Sequence, residues 1–260
     1  MKKNKQKNIY ILLRKMKNIY ISFFGKKNKL NTFFPVSCLK VYKLNNPKIR
    51  MGKDNDGGYV IHDGFKYDTL IGCGISNDIS FEEDFIKKYD TKCFAFDGTI
   101  EKIPDTNHTI KFIKKNISGK NTKTESNLHE IIERNDNIFL KMDIEGGEYD
   151  FIESLNETQL NKIQQIAIEF HRPFMKKRWK CIEKINKTHY LCHIHPNNCC
   201  GVSTYNNTEI PNLFECTYVR KKSIDYQPEL STEKIPSKLD MVNVPCYKNI
   251  KLKKFPYSIN

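Results

Sequence analysis

From residue 69 to residue 186, short apolar runs alternate with stretches of helical periodicity, and this alternation constrains the fold more than any other feature. Runs at 69–72, 92–96, 110–113, 138–142 and 163–169 predict buried strands. Residues 80–89, 126–134, 148–155 and 179–186 read as helices: Ser80 with Glu83 predicts a capping box, and Leu128, Ile131 and Ile132 share one face. Strands separated by helices cannot pair through hairpins, so the pattern predicts a mainly parallel α/β sheet covered on both faces. Apolar runs at 190–194 and 214–219 have no helical pattern between them and predict an antiparallel pair at one edge. Ahead of the first strand, Asp54-Asn55-Asp56-Gly57-Gly58 before Tyr59-Val60-Ile61 reads as a tight hairpin or loop.

Charge divides the chain. Residues 1–53 hold 15 Lys and Arg and no Asp or Glu, whereas residues 54–260 hold 29 basic and 30 acidic residues. The net charge of +14 therefore belongs to an arm, and the body is neutral, which argues against a nucleic-acid cleft in the body. Three segments are expected: a basic arm at 1–47, a domain at 48–220 and an extension with four prolines at 221–260, packed on the domain. The arm's apolar runs at 9–13 and 19–24 fall well short of the roughly 20 residues of a membrane span. Its sequence suits a solvated tail, or a contact with an anionic membrane surface or RNA through residues 1–53. Nine cysteines without a CxxC pair fit buried thiols, and with no span the expectation is a cytoplasmic protein, with a peripheral membrane contact through the arm as the alternative.

In a doubly wound sheet the ligand lies beyond the carboxyl ends of the strands, so the residues that follow each strand matter most. After the first comes Gly72-Cys73-Gly74-Ile75-Ser76-Asn77-Asp78, where two glycines allow close backbone approach. The second ends at Asp97, near the spacing at which an acid meets a ribose diol. Asn77 stands where a dinucleotide fingerprint has its third glycine, so a nucleoside without a pyrophosphate fits better. The fourth runs into Lys141-Met142-Asp143-Ile144-Glu145-Gly146-Gly147-Glu148, where strand alternation would put Asp143 and Glu145 on the side of Lys141, as a carboxylate pair able to bind a metal, orient an ammonium or sulfonium centre or serve as base. His171 follows the fifth, and its ordinary pKa near 6.5 suits a proton acceptor, with Asp143 and Glu145 as rivals. His193 and His195 share a strand face, with Asn197 and Asn198 beyond; positioning acceptor groups suits them better than a two-histidine metal site without a third ligand, and no metal is expected.

Ile71-Gly72-Cys73-Gly74, Phe96-Asp97-Gly98-Thr99-Ile100 and Leu140 through Glu148 resemble the motifs of FkbM-type S-adenosylmethionine-dependent methyltransferases, nearest the branch with the animal methyltransferase-like proteins. Arg50 through Val60, His193 through Cys199 and Ile210 through Glu215 are similar too, so the resemblance spans about 48–220. It implies a class I methyltransferase fold, Rossmann-like, with seven mostly parallel strands, an antiparallel strand at the edge and helices on both faces. It also implies S-adenosyl-L-methionine over Gly72, Gly74 and Asn77, with Asp97 on the ribose and Asp143 alongside. Catalysis is expected from His171, Asp143 and Glu145, and substrate binding from His193, His195 and Asn198. Family chemistry points to O-methylation of a hydroxyl on a small molecule or glycan. The alternatives are an RNA methyltransferase, with Lys141, Asp143 and Glu169 in its site, and a methyltransferase-like module that binds without catalysis.

Overall fold

The computed structural model describes residues 33–205 and 207–259. Both apolar runs of the arm, and any helix they would form, lie outside the described residues. Seven strands form the main sheet: β3 (Thr69–Cys73), β4 (Lys92–Phe96), β5 (Ile110–Ile113), β8 (Ile138–Met142), β9 (Ile163–His171), β10 (His189–Pro196) and β13 (Leu213–Arg220). Their order is β10-β13-β9-β8-β3-β4-β5. The parallel series runs outward from β3 through β4 to β5 and, in the other direction, through β8 to β9. The chain's direction of travel thus reverses between β3 and β8, which opens a crevice at their carboxyl ends. The last strand, β13, is antiparallel to both its neighbours and sits one place in from the edge, between β9 and β10.

Alternating side chains build two layers. Ile71, Cys73, Leu140, Met142, Ile166 and Ile168 face one core with helices α3 (Glu148–Ser154) and α5 (Lys176–Thr188), which contribute Phe151, Ile152, Ile182 and Ile185. Leu70, Phe139 and Ala167 face the other, against Phe81 and Phe85 of α1 (Ser80–Tyr89) and the hairpin of β1 (Lys48–Met51) and β2 (Tyr59–His62). Lys141, Glu169 and Glu215 occupy this second face nearer the carboxyl ends, where the apolar layer gives way to polar groups.

Local geometry departs from the sequence expectation in three places. Ser80 is the first residue of α1 but caps nothing: its Oγ accepts from the Lys53 amide at 2.9 Å, and Asp78 accepts from the Ser80 amide at 3.1 Å. Glu83 is drawn away to the Thr106 hydroxyl at 2.6 Å. Helix α2 (His129–Arg134) starts later than 126, because Ser126 pairs with Ile117 in a short parallel ladder and Leu128 turns left-handed at φ 59°. Strand β9 continues past 169 to His171, since β13 pairs with it as far as Leu213 opposite His171.

Residues on either side of the 48–220 segment pack on it. Phe34, Leu39 and Val41 are buried in the main core, and the Asn186 amide donates to the Cys38 carbonyl at 2.7 Å. Val41 and Ser231 join through a backbone bond of 2.8 Å. Asn198 clamps the extension, its amide nitrogen donating to the Val244 and Tyr247 carbonyls and its oxygen accepting from the Val244 amide. The thiols of Cys38, Cys73, Cys93, Cys181, Cys192 and Cys216 are buried.

Candidate active site

The crevice is built on a contact that only glycine permits. Gly74 has φ +79°, and a Cβ placed there would lie 1.7 Å from the Asp143 carbonyl oxygen. The turn after β3 therefore lies flush against the turn after β8, tied to it by the bond from the Asp143 amide to Cys73 and to the end of β4 by the bond from the Gly74 amide to Phe96. Gly72 is as tight, since its Cβ would meet Glu82 Oε1 at 2.5 Å. Below the loop, Glu82 and Lys141 form a buried pair 3.7 Å apart. The Lys141 ammonium also donates to the Gly74 carbonyl at 3.5 Å and is consumed beneath the loop.

Asp97 stands at the end of β4, its orientation fixed by three donors. Oδ2 accepts from the Ser76 amide at 2.7 Å, and Oδ1 accepts from the Thr99 amide at 2.7 Å and hydroxyl at 2.6 Å. Desolvation works to raise its pKa, but the bonds from Thr99 and Ser76 hold it below the usual carboxylate range, so Asp97 is a charged, aimed acceptor. Asn77 is exposed on the loop between them. The segment from Arg50 to Tyr59 borders the same loop: Lys53 pairs with Asp78 at 2.8 Å, and Gly52 donates to Asp84 at 2.9 Å.

On the other side of the crevice, carboxylates crowd one imidazole. Alternation does not bring Asp143 and Glu145 together, because extended structure stops at Met142; Glu145 and Gly146 turn at φ 55° and 108° and carry Glu145 back toward β9. Nε2 of His171 lies 3.4 Å from Glu145, 3.4 Å from Glu169 and 4.0 Å from Asp143. Nδ1 lies 3.2 Å from Glu148, whose Oε1 also accepts from the His171 amide at 2.9 Å and whose Oε2 accepts from Gly146 at 2.8 Å. Tyr149 and Arg178 donate to the His171 carbonyl, both at 3.0 Å, and fix the strand end.

This setting corrects the role expected of His171. Burial alone would lower its pKa, but pairing with Glu145 and Glu148 and the charge of Glu169 override burial and push it up to about 11. His171 is a held cation at neutral pH and has no capacity to take a proton. Proton-accepting capacity shifts to its neighbours. Burial raises Asp143 against the opposing charges of His171 and Lys141, and burial with the charge of Asp143 lifts Glu169 well above the carboxylate range.

Glu148 and Tyr59, to which sequence reasoning gave no role, and Glu169, which it placed only in an RNA methyltransferase site, complete the cluster. Glu169 is nearly fully buried, and its Oε1 accepts from Asn197 at 2.8 Å. Tyr59 donates to Asp143 Oδ2 at 3.5 Å. The usable signal was register: Glu169 lies at the carboxyl end of the strand beside that of Asp143, on the face of Lys141.

His193 and His195 do not converge as a metal pair. His193 Nε2 meets Asp240 of the extension at 2.8 Å, and His195 Nδ1 meets Glu215 at 3.1 Å. Opposite charge from Glu215 outweighs desolvation and raises the pKa of His195, whereas the charges of His193 and His195 depress Asp240 below its ordinary value despite burial. Both imidazoles are buried, as is Asn198, whose amide is engaged with the extension. Glu215 stands opposite both Glu169 and His195, so the row connects this pair to the crevice.

A search of curated proteins finds no match. Among solved structures, precorrin-6Y C5,15-methyltransferase from Geobacter metallireducens GS-15 matches at 9% identity and a TM-score of 0.33, over 60% of this chain and 83% of that one. The family model described as the methyltransferase FkbM domain matches residues 48–219. With two thirds of its length matched, including the glycine loop, Asp97 and the Asp143 turn, the chain belongs to the FkbM methyltransferase domain family.

Proposed function

We propose that the protein is an S-adenosylmethionine-dependent O-methyltransferase acting on a hydroxyl of a small molecule or glycan. The observation that carries this reading is the crevice between β3 and β8, where a loop tight enough to exclude any Cβ lies between the oriented Asp97 and the carboxylates around His171. Gly72, Gly74 and Asn77 would line the nucleoside, Asp97 would accept from the ribose hydroxyls, and Asp143 would lie beside the charged centre. The sulfonium, when bound, supplies an electrophilic methyl group. The chain's own task is to align an acceptor oxygen and take its proton. Asp143 and Glu169 suit that transfer because burial raises their proton affinity above that of an ordinary carboxylate. His171 pairs with both as a fixed cation and positions them.

Among the described residues no helix is long and apolar enough to cross a membrane. Lys141 is buried against Glu82, which disfavours an RNA site that uses its ammonium. The 15 basic residues of 1–53 favour an anionic partner for the arm, and a cytoplasmic protein touching an anionic lipid surface is the reading adopted.

Calorimetry with S-adenosylhomocysteine tests the assignment. Binding is expected for the native protein, with at least tenfold loss in Asp97→Ala. No binding by folded protein would remove the cofactor assignment. A methyl-transfer screen over hydroxyl acceptors, glycans and RNA then identifies the substrate class.

A further inference from the structure

Beyond methyl transfer, the geometry points to a divalent-cation site formed by Asp143, Glu145 and His171, with Glu169 beside the same imidazole nitrogen, suited to an ion of the Mn2+ class that accepts oxygen and imidazole together. Ligand atoms of Asp143, Glu145 and His171 all lie within 4.8 Å of one another, and Glu169 lies 3.4 Å from the same imidazole nitrogen. Ligands about 2.1 Å from one ion stand ~3 Å apart when adjacent and ~4.2 Å apart when opposite. The observed separations of 3.4–4.0 Å from Nε2 need only a small contraction to match.

A second observation is independent of the acidic charge. Asp143 Oδ1 and His171 Nε2 are both buried atoms without a hydrogen bond, side by side in this cluster, and Nε2 has only ion-pair contacts at 3.4–4.0 Å. Buried polar atoms are nearly always satisfied, and an orphaned pair at one point marks the place of a ligand. The supporting shell is also in place. Glu148 holds Nδ1 at 3.2 Å and so aims Nε2 into the cluster, Asn197 fixes Glu169 at 2.8 Å, and Tyr59 reaches Asp143. Metal-bound imidazoles are characteristically oriented by such a carboxylate on the other nitrogen. On binding, the ion takes the place of the Nε2 proton, which leaves to solvent.

The ion's role rests on the methyl-transfer reading, in which it would receive the acceptor oxygen beside Asp143; its binding does not. The test is an Mn2+ titration of full-length protein treated with EDTA, followed by the loss of the free-ion EPR signal. One saturable ion per chain is expected, with affinity at least tenfold weaker in Asp143→Asn and in Glu169→Gln. Glu145→Gln, at an exposed position, should weaken binding without threatening the fold, and Glu130→Gln, exposed on α2, should leave it unchanged. Absence of saturable binding in protein folded by circular dichroism, or equal affinity across the three site variants and the wild type, overturns the site. Homocysteine-nucleoside calorimetry on the same samples separates the two readings: S-adenosylhomocysteine bound without Mn2+ removes the cation site alone. Mn2+ bound without S-adenosylhomocysteine supports the site and removes its proposed role.

Discussion

A histidine sits at each end of strand β9, its own His171 at the finish and His189, the first residue of β10, at the start, and the two behave oppositely. At its start, His189 Nε2 donates to the Ile163 carbonyl at 2.9 Å, and burial lowers its pKa to about 4. At its finish, His171 is also largely buried, yet Glu145, Glu148 and Glu169 push it up to about 11. Removal from water drives an imidazole neutral unless opposite charge is supplied at close range. The amino-terminal end is therefore ordinary packing, whereas the carboxyl-terminal end stores charge that packing alone would not tolerate. Concentrated charge of this kind marks a functional site more reliably than burial does.

The strongest way to break the contrast is to dismantle the charged end from a distance. Gly74→Ala places a methyl into the Asp143 carbonyl at a left-handed φ, so the turn after β8 must move and scatter the carboxylates around His171. A stability loss above ~3 kcal/mol is expected by urea unfolding, with S-adenosylhomocysteine affinity lost altogether. A variant as stable as wild type would show that the two turns do not depend on each other.

Replacing the cation itself should cost slightly less. His171→Gln leaves Glu148 and Glu169 buried without their counter-charge, which destabilises by about 3–5 kcal/mol at pH 7. His189→Gln removes a neutral group that makes one strong bond and should cost about 1–3 kcal/mol. Equal losses would erase the distinction between the two ends.

The pH dependence of stability sharpens the same contrast, because the signs differ. His189 has a folded pKa below its ordinary 6.5, so the unfolded chain protonates first; its contribution is complete above 6.5 and is lost as pH falls toward about 4. That contribution amounts to roughly 3 kcal/mol. His171 has a folded pKa above 6.5, so its contribution is complete below 6.5 and is lost as pH rises toward about 11. Urea melts of EDTA-treated protein from pH 4.5 to 9 should therefore decline on both sides. His189→Gln should flatten the acid arm and His171→Gln the alkaline arm, and a variant that flattens the other arm contradicts the assignment.

The two ends of β9 also differ in how far sequence reveals them. Strand and helix placement was legible because apolar periodicity is a local property: the runs at 92–96, 110–113 and 138–142 coincide with β4, β5 and β8. Gly74 and Asp97 were legible because a tight turn and a strand-end acid are local too. His171 was found as a residue but not as a cation, since its charge state depends on Glu145, Glu148 and Glu169, up to 26 positions away. Glu169 suited only an RNA methyltransferase site by sequence, and its place beside Asp143 emerges once β8 and β9 are in register. The dependence of Asn197 and Asn198 on Glu169 and the extension is equally nonlocal. Ser80 and Glu83 misled for the opposite reason, because Lys53 and Thr106, neither on the helix, outcompete a local capping box.

The smallest effect worth measuring is at the exposed member of the ring. Glu145 has a mostly solvent-exposed side chain, yet its ion pair with Nε2 is the leading contribution that raises His171. Water screens such a pair, so its true weight should be well below that of the buried Glu148. Proton–carbon correlation spectra of the His171 Cε1–H group, recorded on EDTA-treated protein, report this directly. Glu145→Gln should lower the His171 pKa by about one unit while stability changes by less than ~1 kcal/mol. Glu148→Gln should lower it by considerably more, and the reverse ranking would mean that the cationic end of β9 is set at its solvent edge instead of within the fold.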